Sequence, residues 1–263
     1  MASCDIRGSS PGSRELEVLD VARKLTEIHA VLLTGGSAFG LAAADGVMSW
    51  LAERDVGYRT PIAVVPIVPA AVVFDLGSGN PAARPDASAG RTACDAASAS
   101  VATGAVGAGT GCTVGKWAGR EFASPGGLGI AHASEAAWEA SALAVVNAVG
   151  DVLADDGTVV AGTTASTKEY HPPLPEGAFD KENTVLAVVA VNAVLEKREV
   201  QWLAARGSDG ITISVRPAHT RYDGDVVFAI AAPGPVAGPQ DLDVLGHLAT
   251  RAVAEAVRNA VRP

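Results

Sequence analysis

The hydrophobic and polar positions of the chain predict short strands and helices in alternation. Residues 15–29 (ELEVLDVARKLTEIH) place apolar side chains at helical spacing, and residues 30–36 (AVLLTGG) predict a short buried strand that ends in a turn. A second helix is predicted over residues 37–55, with Ser37 as its N-cap. The chain therefore opens with the order helix, strand, turn and helix.

Gly35 and Gly36 lie at the turn between this strand and the second helix. A helix N-terminus presents backbone N–H groups to an anion or a carbonyl oxygen. The surrounding TGGSAFG does not match the GxGxxG fingerprint of dinucleotide sites, and no P-loop lysine follows it. Nucleotide binding is therefore a weak hypothesis for these two glycines, which we assign to substrate binding.

The middle of the chain is rich in small residues. Residues 61–76 predict one or two strands interrupted by prolines, and residues 86–104 predict a helix that ends near Gly104. Residues 104–130 are saturated with glycine, which predicts loops and short strands where the backbone passes close to another group. Such a stretch is more typical of an active-site wall than of a linker.

The next segment combines a buried strand with an exposed connection. Residues 142–153 (ALAVVNAVGDVL) predict a strand in which Asn147 interrupts an apolar run and is at least partly buried. The following DDG (155–157) predicts a hairpin turn. Residues 163–183 lack periodicity and contain three prolines, which indicates an exposed, cleavable connection.

The last third predicts strands and helices without regular βαβ spacing. An apolar strand begins at Thr184, and a polar helix follows over residues 195–207. A strand pair is predicted around residues 211–217 and 225–233, and a final helix over residues 241–261. The pattern contains no fixed-period repeat and predicts an α/β protein in which sheets are layered against helices.

Composition and charge narrow the class of protein. The 263 residues are 48% hydrophobic and 19% charged, as expected for a globular protein with a sizeable core. The apolar runs are shorter than the roughly 18 residues of a membrane helix, and the N-terminus lacks the features of a secretory signal. We therefore expect a cytoplasmic protein that does not bind membranes. A net charge of -9 without clustered basic residues disfavours nucleic acid.

Cysteine and histidine give little support to a metal site or a disulfide. The three cysteines form no CxxC pair and are expected to be small buried side chains. The five histidines lie far apart, outside any recognisable nucleophile or metal motif, and we expect surface or structural roles for them: His29, His132, His171, His219 and His247. No metal or organic cofactor is implied.

Residues suited to amide hydrolysis are present without a Ser-His-Asp triad. An amide hydrolase needs a nucleophile, a base for its proton and donors for the developing oxyanion. The chain offers polar side chains at suggestive places, each of them unremarkable by itself: Asn183–Thr184 at a loop-to-strand junction, Lys116 in the glycine-rich stretch, Asn147, and Asp223–Gly224–Asp225 before an apolar strand.

An ordered set of segments resembles the DmpA-type aminopeptidases and the nylon-oligomer hydrolases. The segments run along nearly the whole chain: VLLTGGSAFGLAAADGVM, VPIVPAAVVFDL, GAVGAGTGCTVGKW, GGLG, LAVVNAVGDV, NTVLAVVAVNA and RPAHTRYDGDVVFA. The resemblance implies an N-terminal-nucleophile hydrolase with a four-layered α/β/β/α sandwich. It also implies a homo-oligomer of αβ units, expected to be a homotetramer of heterodimers.

The same resemblance implies self-cleavage between Asn183 and Thr184, which gives an α chain of residues 1–183 and a β chain of residues 184–263. Thr184 Oγ1 attacks the carbonyl carbon of Asn183, an N-to-O acyl shift forms an ester, and water releases it. The freed α-amine, with a pKa of about 7.7 to 8.0 in model compounds, then serves as base for its own hydroxyl.

The resemblance also assigns the remaining catalytic roles. Asn147 is expected to donate to the oxyanion. Lys116 is expected to keep the α-amine neutral by its charge. Asp223 and Asp225 are expected to orient the lysine and the amine through charge-assisted hydrogen bonds.

Three departures from the family pattern accompany this assignment. The family usually begins with additional strands upstream of the segment CDIRGSSPGSRE, so we expect either a truncated start or a sheet that has lost an edge. Phe74 stands where some members have a tyrosine near the substrate, and therefore keeps the ring without the hydroxyl. Glu182 and Val185 flank the scissile bond where some relatives have Gly and Thr.

The sequence therefore predicts an autoprocessed threonine hydrolase of amide bonds. It would act as an aminopeptidase on short peptides or on related linear amides such as 6-aminohexanoate oligomers. Two alternatives remain open: an acyl transferase like the ornithine acetyltransferases, and a non-catalytic glycine-loop binding protein or inactive homologue.

Overall fold

A computed structural model of the chain describes residues 1–166, 169 and 183–262. Short strands of this part are collected into five sheets: β1 (Ala2–Ile6), β2 (Gly12–Arg14), β3 (Leu32–Thr34), β4 (Tyr58–Arg59), β5 (Val64–Val65), β6 (Ala70–Val72), β7 (Thr113–Val114), β8 (Ser124–Pro125), β9 (Gly127–Glu135), β10 (Trp138–Asn147), β11 (Asp151–Leu153), β12 (Val159–Ala161), β13 (Thr184–Val191), β14 (Val215–Arg216) and β15 (Val226–Ala231). The α-helices are α1 (Ala43–Ala52), α2 (Ala87–Asp95), α3 (Lys197–Ser214) and α4 (Pro239–Asn259).

The central sheet has the strand order β1-β15-β13-β10-β9. Its strands are antiparallel neighbours except for β13 and β15, which run parallel. Strand β13 lies in the middle of the sheet, and its Val-rich run is buried on both faces, as in central strands that are covered on each side. Its first residue, Thr184, pairs with Asn147, the last residue of β10.

Four layers form because successive side chains of the central sheet point to opposite faces. Val185 and Val189 of β13 pack with α3 and α4, whereas Leu186 and Val188 contact a second sheet of order β2-β6-β3. Helix α1 covers the outer face of that second sheet through Val47, and α2 packs against α1. This arrangement confirms the predicted α/β/β/α sandwich.

Two predicted elements are wrong, each because a tertiary contact replaces the predicted local structure. Residues 15–29 form only a 3-10 turn at Glu17–Leu19. The backbone carbonyls of this segment bind the Lys197 ammonium group instead, which donates hydrogen bonds to the oxygens of Val18, Arg23 and Leu25. The strand predicted at residues 211–217 is instead the last turn of α3, where Ile211 packs in the core with α4, and only β14 remains extended.

Other boundaries differ in detail. Ser37 is not an α-helical N-cap: its φ is +54°, and a 3-10 helix (Ser37–Ala42) precedes α1. Helix α2 ends at Asp95, well before Gly104. Strands β3, β6, β13 and β15 and helix α4 lie where the sequence predicts them. The strand predicted at residues 142–153 is instead divided into β10 and β11, which belong to different sheets. None of the helices within the described ranges has both the length and the apolar composition needed to cross a bilayer.

Some predictions fall on residues that are outside the described ranges. These residues include His171, Glu182 and most of the predicted connection at 163–183. Among the described residues, Cys112 is buried as expected, whereas Cys4 and Cys94 are half-buried. Within these same ranges, no cluster of three or more His, Cys, Asp or Glu side chains is suited to a metal ion.

Candidate active site

The Asn183–Thr184 peptide is buried at the start of β13. Thr184 is 4% exposed and donates its hydroxyl to the carbonyl oxygen of Asn183. The backbone N–H of Gly224 donates to the same oxygen at 2.8 Å. A Cβ at position 224 would lie 2.6 Å from the Ser10 carbonyl oxygen and 3.0 Å from Thr184 Oγ1, so only glycine fits. Two donors therefore polarise one peptide carbonyl inside the core.

Asn147 holds Lys116 beside this peptide. Lys116 Nζ donates to Asn147 Oδ1 at 2.8 Å and to its backbone oxygen at 3.1 Å. Asn147 Nδ2 donates to the carbonyl oxygen of Phe74 at 2.9 Å, and the Thr113 N–H donates to Oδ1 at 3.0 Å. Because Asn147 is also the register partner of Thr184, these bonds hold Lys116 to the strand position opposite Thr184.

A left-handed glycine turns Lys116 into the core. Gly115 has φ of +74°, and a Cβ there would meet the Gly162 backbone at 2.2 Å. Burial, and to a smaller extent the charge of Arg120, lower the pKa of Lys116, while Cys112 and Asp223 act in the opposite direction, and the net pKa is about 7. The Lys116 side chain therefore loses its proton at a much lower pH than an exposed lysine does.

Asp223 and Asp225 hold the backbone around Thr184. Asp223 accepts from the N–H of Thr220 at 2.7 Å and pairs in a parallel bridge with Asn183. Asp225 Oδ1 accepts from the N–H of Val185 at 2.6 Å. Among the described contacts these carboxylates thus orient backbone amides, whereas Lys116 donates to Asn147 and not to the pair as the resemblance implies.

Burial and the charge of Asp225 raise the pKa of Asp223, hydrogen bonds from Thr220 and Val149 lower it, and the net pKa is about 6. Asp223 carries its proton to a higher pH in the folded chain than in the unfolded chain, whose carboxyl titrates near 3.8. Ionisation therefore destabilises the fold as the pH rises from about 4 to about 6.

Replacing Asp223 with asparagine should abolish that pH dependence. In a Thr184→Ala background, we expect the unfolding free energy of Asp223→Asn, compared with that of the protein that keeps Asp223, to rise by on the order of 2 to 3 kcal/mol between pH 3.5 and pH 7. Urea unfolding of the two proteins across this range measures the difference. A difference that is the same at every pH would show that Asp223 titrates normally.

Two cavities meet at Asp75. One, of about 170 Å³, is lined by Phe74, Lys116, Arg120 and Asn147 among others. The other, of about 550 Å³, is lined mostly by small residues and includes Gly35. Asp75, Ser78 and Gly111 line both cavities. The two cavities therefore share one wall, and Lys116 and Asn147 of the candidate site line the smaller cavity.

The predicted catalytic residues meet in space, but the described contacts of Asn147, Lys116 and Gly36 differ from the predicted ones. Gly36 donates its backbone N–H to Asp75 Oδ1 at 2.7 Å, so the anion at this turn is a side chain of the protein. Sequence reasoning missed Asp75, Gly224 and His219. Asp75 follows the strand-like VVF, Gly224 lies inside the DGD already singled out, and His219 precedes it by five residues, so proximity in sequence was the only available signal.

Comparison with known proteins agrees with this geometry. A family model described as peptidase family S58 matches residues 1–262. An uncharacterised aminopeptidase of Mycobacterium leprae is 42% identical over 88% of this chain and 67% of its own length. A 6-aminohexanoate-oligomer endohydrolase of an Agromyces species is 30% identical over 88% of this chain and 71% of its own length.

Solved structures share the fold. A β-aminopeptidase of a Burkholderia species superposes with a TM-score of 0.75 at 20% identity, over 98% of this chain and 73% of that one. An L-aminopeptidase D-Ala-esterase/amidase of Ochrobactrum anthropi, described as a variant of the Ntn hydrolase fold, gives a TM-score of 0.63 at 23% identity, over 84% of this chain and 62% of that one.

A buried threonine, amide and lysine at the centre of an α/β/β/α sandwich, together with these relatives, define a hydrolase of peptide or other amide bonds. The chain belongs to peptidase family S58, whose model matches it from the first residue to the last but one.

Proposed function

We propose that the chain is an autoprocessed hydrolase whose nucleophile is Thr184, freed as an N-terminus by self-cleavage after Asn183. The observation that carries this proposal is the pair of donors on one buried carbonyl: the Thr184 hydroxyl and the Gly224 N–H both reach the oxygen of Asn183. A strand that simply began at this position would require neither a hydroxyl there nor a glycine that packs against it.

Self-cleavage needs a proton acceptor and an oxyanion donor. Thr184 Oγ1 attacks the Asn183 carbonyl carbon, its proton passes to a base, and the Gly224 N–H stabilises the oxyanion. The amide C–N bond then breaks, the Thr184 nitrogen takes up the proton, and water hydrolyses the resulting ester. With a pKa of about 7, Lys116 is suited to accept and return a proton at neutral pH.

Substrate hydrolysis uses the same atoms after processing. The free α-amine of Thr184 accepts the proton of its own hydroxyl, and the acyl-enzyme ester forms and is hydrolysed. Lys116 lies next to this amine through Asn147, and its positive charge favours the neutral, basic form of the amine. The buried setting strengthens these electrostatic effects.

Asp75 suggests which amides are cleaved. Its carboxylate lies where the smaller cavity, lined by Lys116 and Asn147, meets the larger one. A protonated substrate amine placed there would be paired with a charge while the rest of its residue fills the larger cavity. This geometry supports an aminopeptidase on short peptides or an enzyme acting on linear ω-amino amides such as 6-aminohexanoate oligomers.

Replacing Asp75 with asparagine is expected to raise KM for substrates with a free amine by about 10- to 100-fold, because a charge-assisted contact is lost. The kcat should change little, because Asp75 does not contact Thr184. Hydrolysis of L-, D- and β-aminoacyl p-nitroanilides and of a 6-aminohexanoate oligomer measures this effect. N-acetylated versions of the same substrates serve as the control, and an equal KM increase for them would remove Asp75 from amine recognition.

Processing, assembly and location belong to the same proposal. We propose that residues 1–263 act as one unit cut into residues 1–183 and 184–263, that these αβ units form a homo-oligomer, and that the enzyme is cytoplasmic. Support for these points comes from the family resemblance. Light scattering on the purified protein, before and after denaturation, measures the assembly directly.

A further inference from the structure

His219 connects helix α3 to the residue that follows the nucleophile. Its Nδ1 lies 2.7 Å from Asp225 Oδ2, and the other oxygen of Asp225 accepts from the Val185 N–H. Its Nε2 lies 3.2 Å from the Ser208 carbonyl oxygen and 3.1 Å from Thr212 Oγ1, both on α3. One side chain thus joins a rigid helix to the first peptide of β13.

When the Thr212 hydroxyl donates to Ser208, the partners of His219 favour a proton on each ring nitrogen. Thr212 donates its hydroxyl to the Ser208 carbonyl at 3.1 Å, so both atoms that face Nε2 are acceptors. Asp225 accepts from Val185 and presents its second oxygen to Nδ1. A neutral imidazole would leave one lone pair against an acceptor, whereas an imidazolium satisfies every contact.

The charged groups around the ring agree with this assignment. Burial lowers the pKa of His219, but the hydrogen bond and charge of Asp225 and the Ser208 carbonyl outweigh it and raise the pKa overall. Arg7, just after β1, lowers the pKa of His219. Arg7 itself forms ion pairs with Asp5 and with Asp209 of α3. The cation is therefore held by Asp225.

The backbone at His219 is bent to make these contacts. Its φ is +52°, in the left-handed region that costs a non-glycine residue about 1 kcal/mol or more. The side chain is 14% exposed and Asp225 only 2%, so an unpaired Asp225 carboxylate would be strongly destabilised there. Strain of this kind persists where surrounding contacts over-determine it.

We infer that His219 is a positioning residue for the nucleophile: as an imidazolium it locks Asp225 to α3, and Asp225 in turn fixes the Val185 N–H and hence Thr184 against the Asn183 carbonyl. This inference rests on the proposed function, because it concerns the same self-cleavage and the same mature nucleophile. It assigns to a lone histidine a role in the rate of both steps without any contact with substrate.

Chemical rescue tests this role. His219→Gly removes the ring and suits the left-handed backbone, and it leaves a space for free imidazole. We expect self-cleavage and kcat to fall by about 10- to 100-fold with KM nearly unchanged. Added imidazole should restore both rates, more strongly at pH 6 than at pH 8, because the imidazolium is the form that fits.

Two further variants keep the test decisive. His219→Asn tolerates the same backbone and should also be slow, without rescue, because asparagine fills part of the space. His132→Gly, on β9 at the far edge of the sheet from β1, should process and turn over normally and show no response to imidazole.

The outcomes separate this inference from the proposed function. A wild-type protein that is never cut would overturn the proposed function itself. A wild-type protein that is cut, with His219→Gly cut equally fast or slowed without any imidazole rescue in a folded protein, would overturn only the role of His219. Folding of each variant is checked by its thermal unfolding transition.

Discussion

Thr184→Ala is expected to remain a single 26.4 kDa chain and to lose amide hydrolysis by about 10⁴-fold or more. The hydroxyl that contacts the Asn183 carbonyl is the attacking group in both proposed reactions, so its removal eliminates the nucleophile without emptying the core. A denaturing gel and an assay with aminoacyl p-nitroanilides measure the two effects on one preparation.

Two companion variants make this result specific. Thr184→Ser keeps a hydroxyl and should be cut and active, although at a changed rate. Thr158→Ala alters an exposed threonine in the β11–β12 hairpin and should match the wild type in both assays. A Thr184→Ala protein that is still cleaved at this bond would rule out Thr184 as the nucleophile of self-cleavage.

Lys116→Met is expected to slow both self-cleavage and kcat by about 100-fold or more. The methionine fills the same space without an amine, so Asn147 loses the donor at 2.8 Å and the site loses its group with a pKa of about 7. If the titration of Lys116 shapes the pH dependence of the wild-type rate, the change in rate near pH 7 should be absent from the variant. Rates measured from pH 5 to pH 9 test this directly.

Lys24→Met is the matched control for this substitution, because Lys24 is exposed. It should leave the rate and its pH profile unchanged. If Lys116→Met lost activity yet kept the wild-type pH profile, the lysine would have a structural role, and the titration near neutrality would belong to the α-amine or to Asp223.

Much of the fold follows from local sequence, and the exceptions have identifiable causes. The strand at Thr184 is predictable because a Val-rich run needs only a core on both sides. The helix predicted at residues 15–29 does not form, because backbone carbonyls of this segment accept hydrogen bonds from the side chain of Lys197, which lies far along the chain. The β-propensity of Ile211 favours a strand, but packing against α4 keeps this residue in helix α3.

The site was predictable as a set of residues and not as a set of contacts. Thr184, Asn147, Lys116 and Asp223 come together, yet which amine donates to which oxygen depends on distances that the sequence does not encode. Gly224 acts through its backbone N–H, which any residue but proline possesses. Its importance becomes visible only once the carbonyl of Asn183 is placed 2.8 Å away.

Intact-mass spectrometry of the freshly purified wild-type protein under denaturing conditions tests the central claim most directly. The account predicts two polypeptides, residues 1–183 and residues 184–263, the second with Thr184 as its free N-terminus and their masses together exceeding the 26.4 kDa chain by one water. A single intact chain of 26.4 kDa would contradict it.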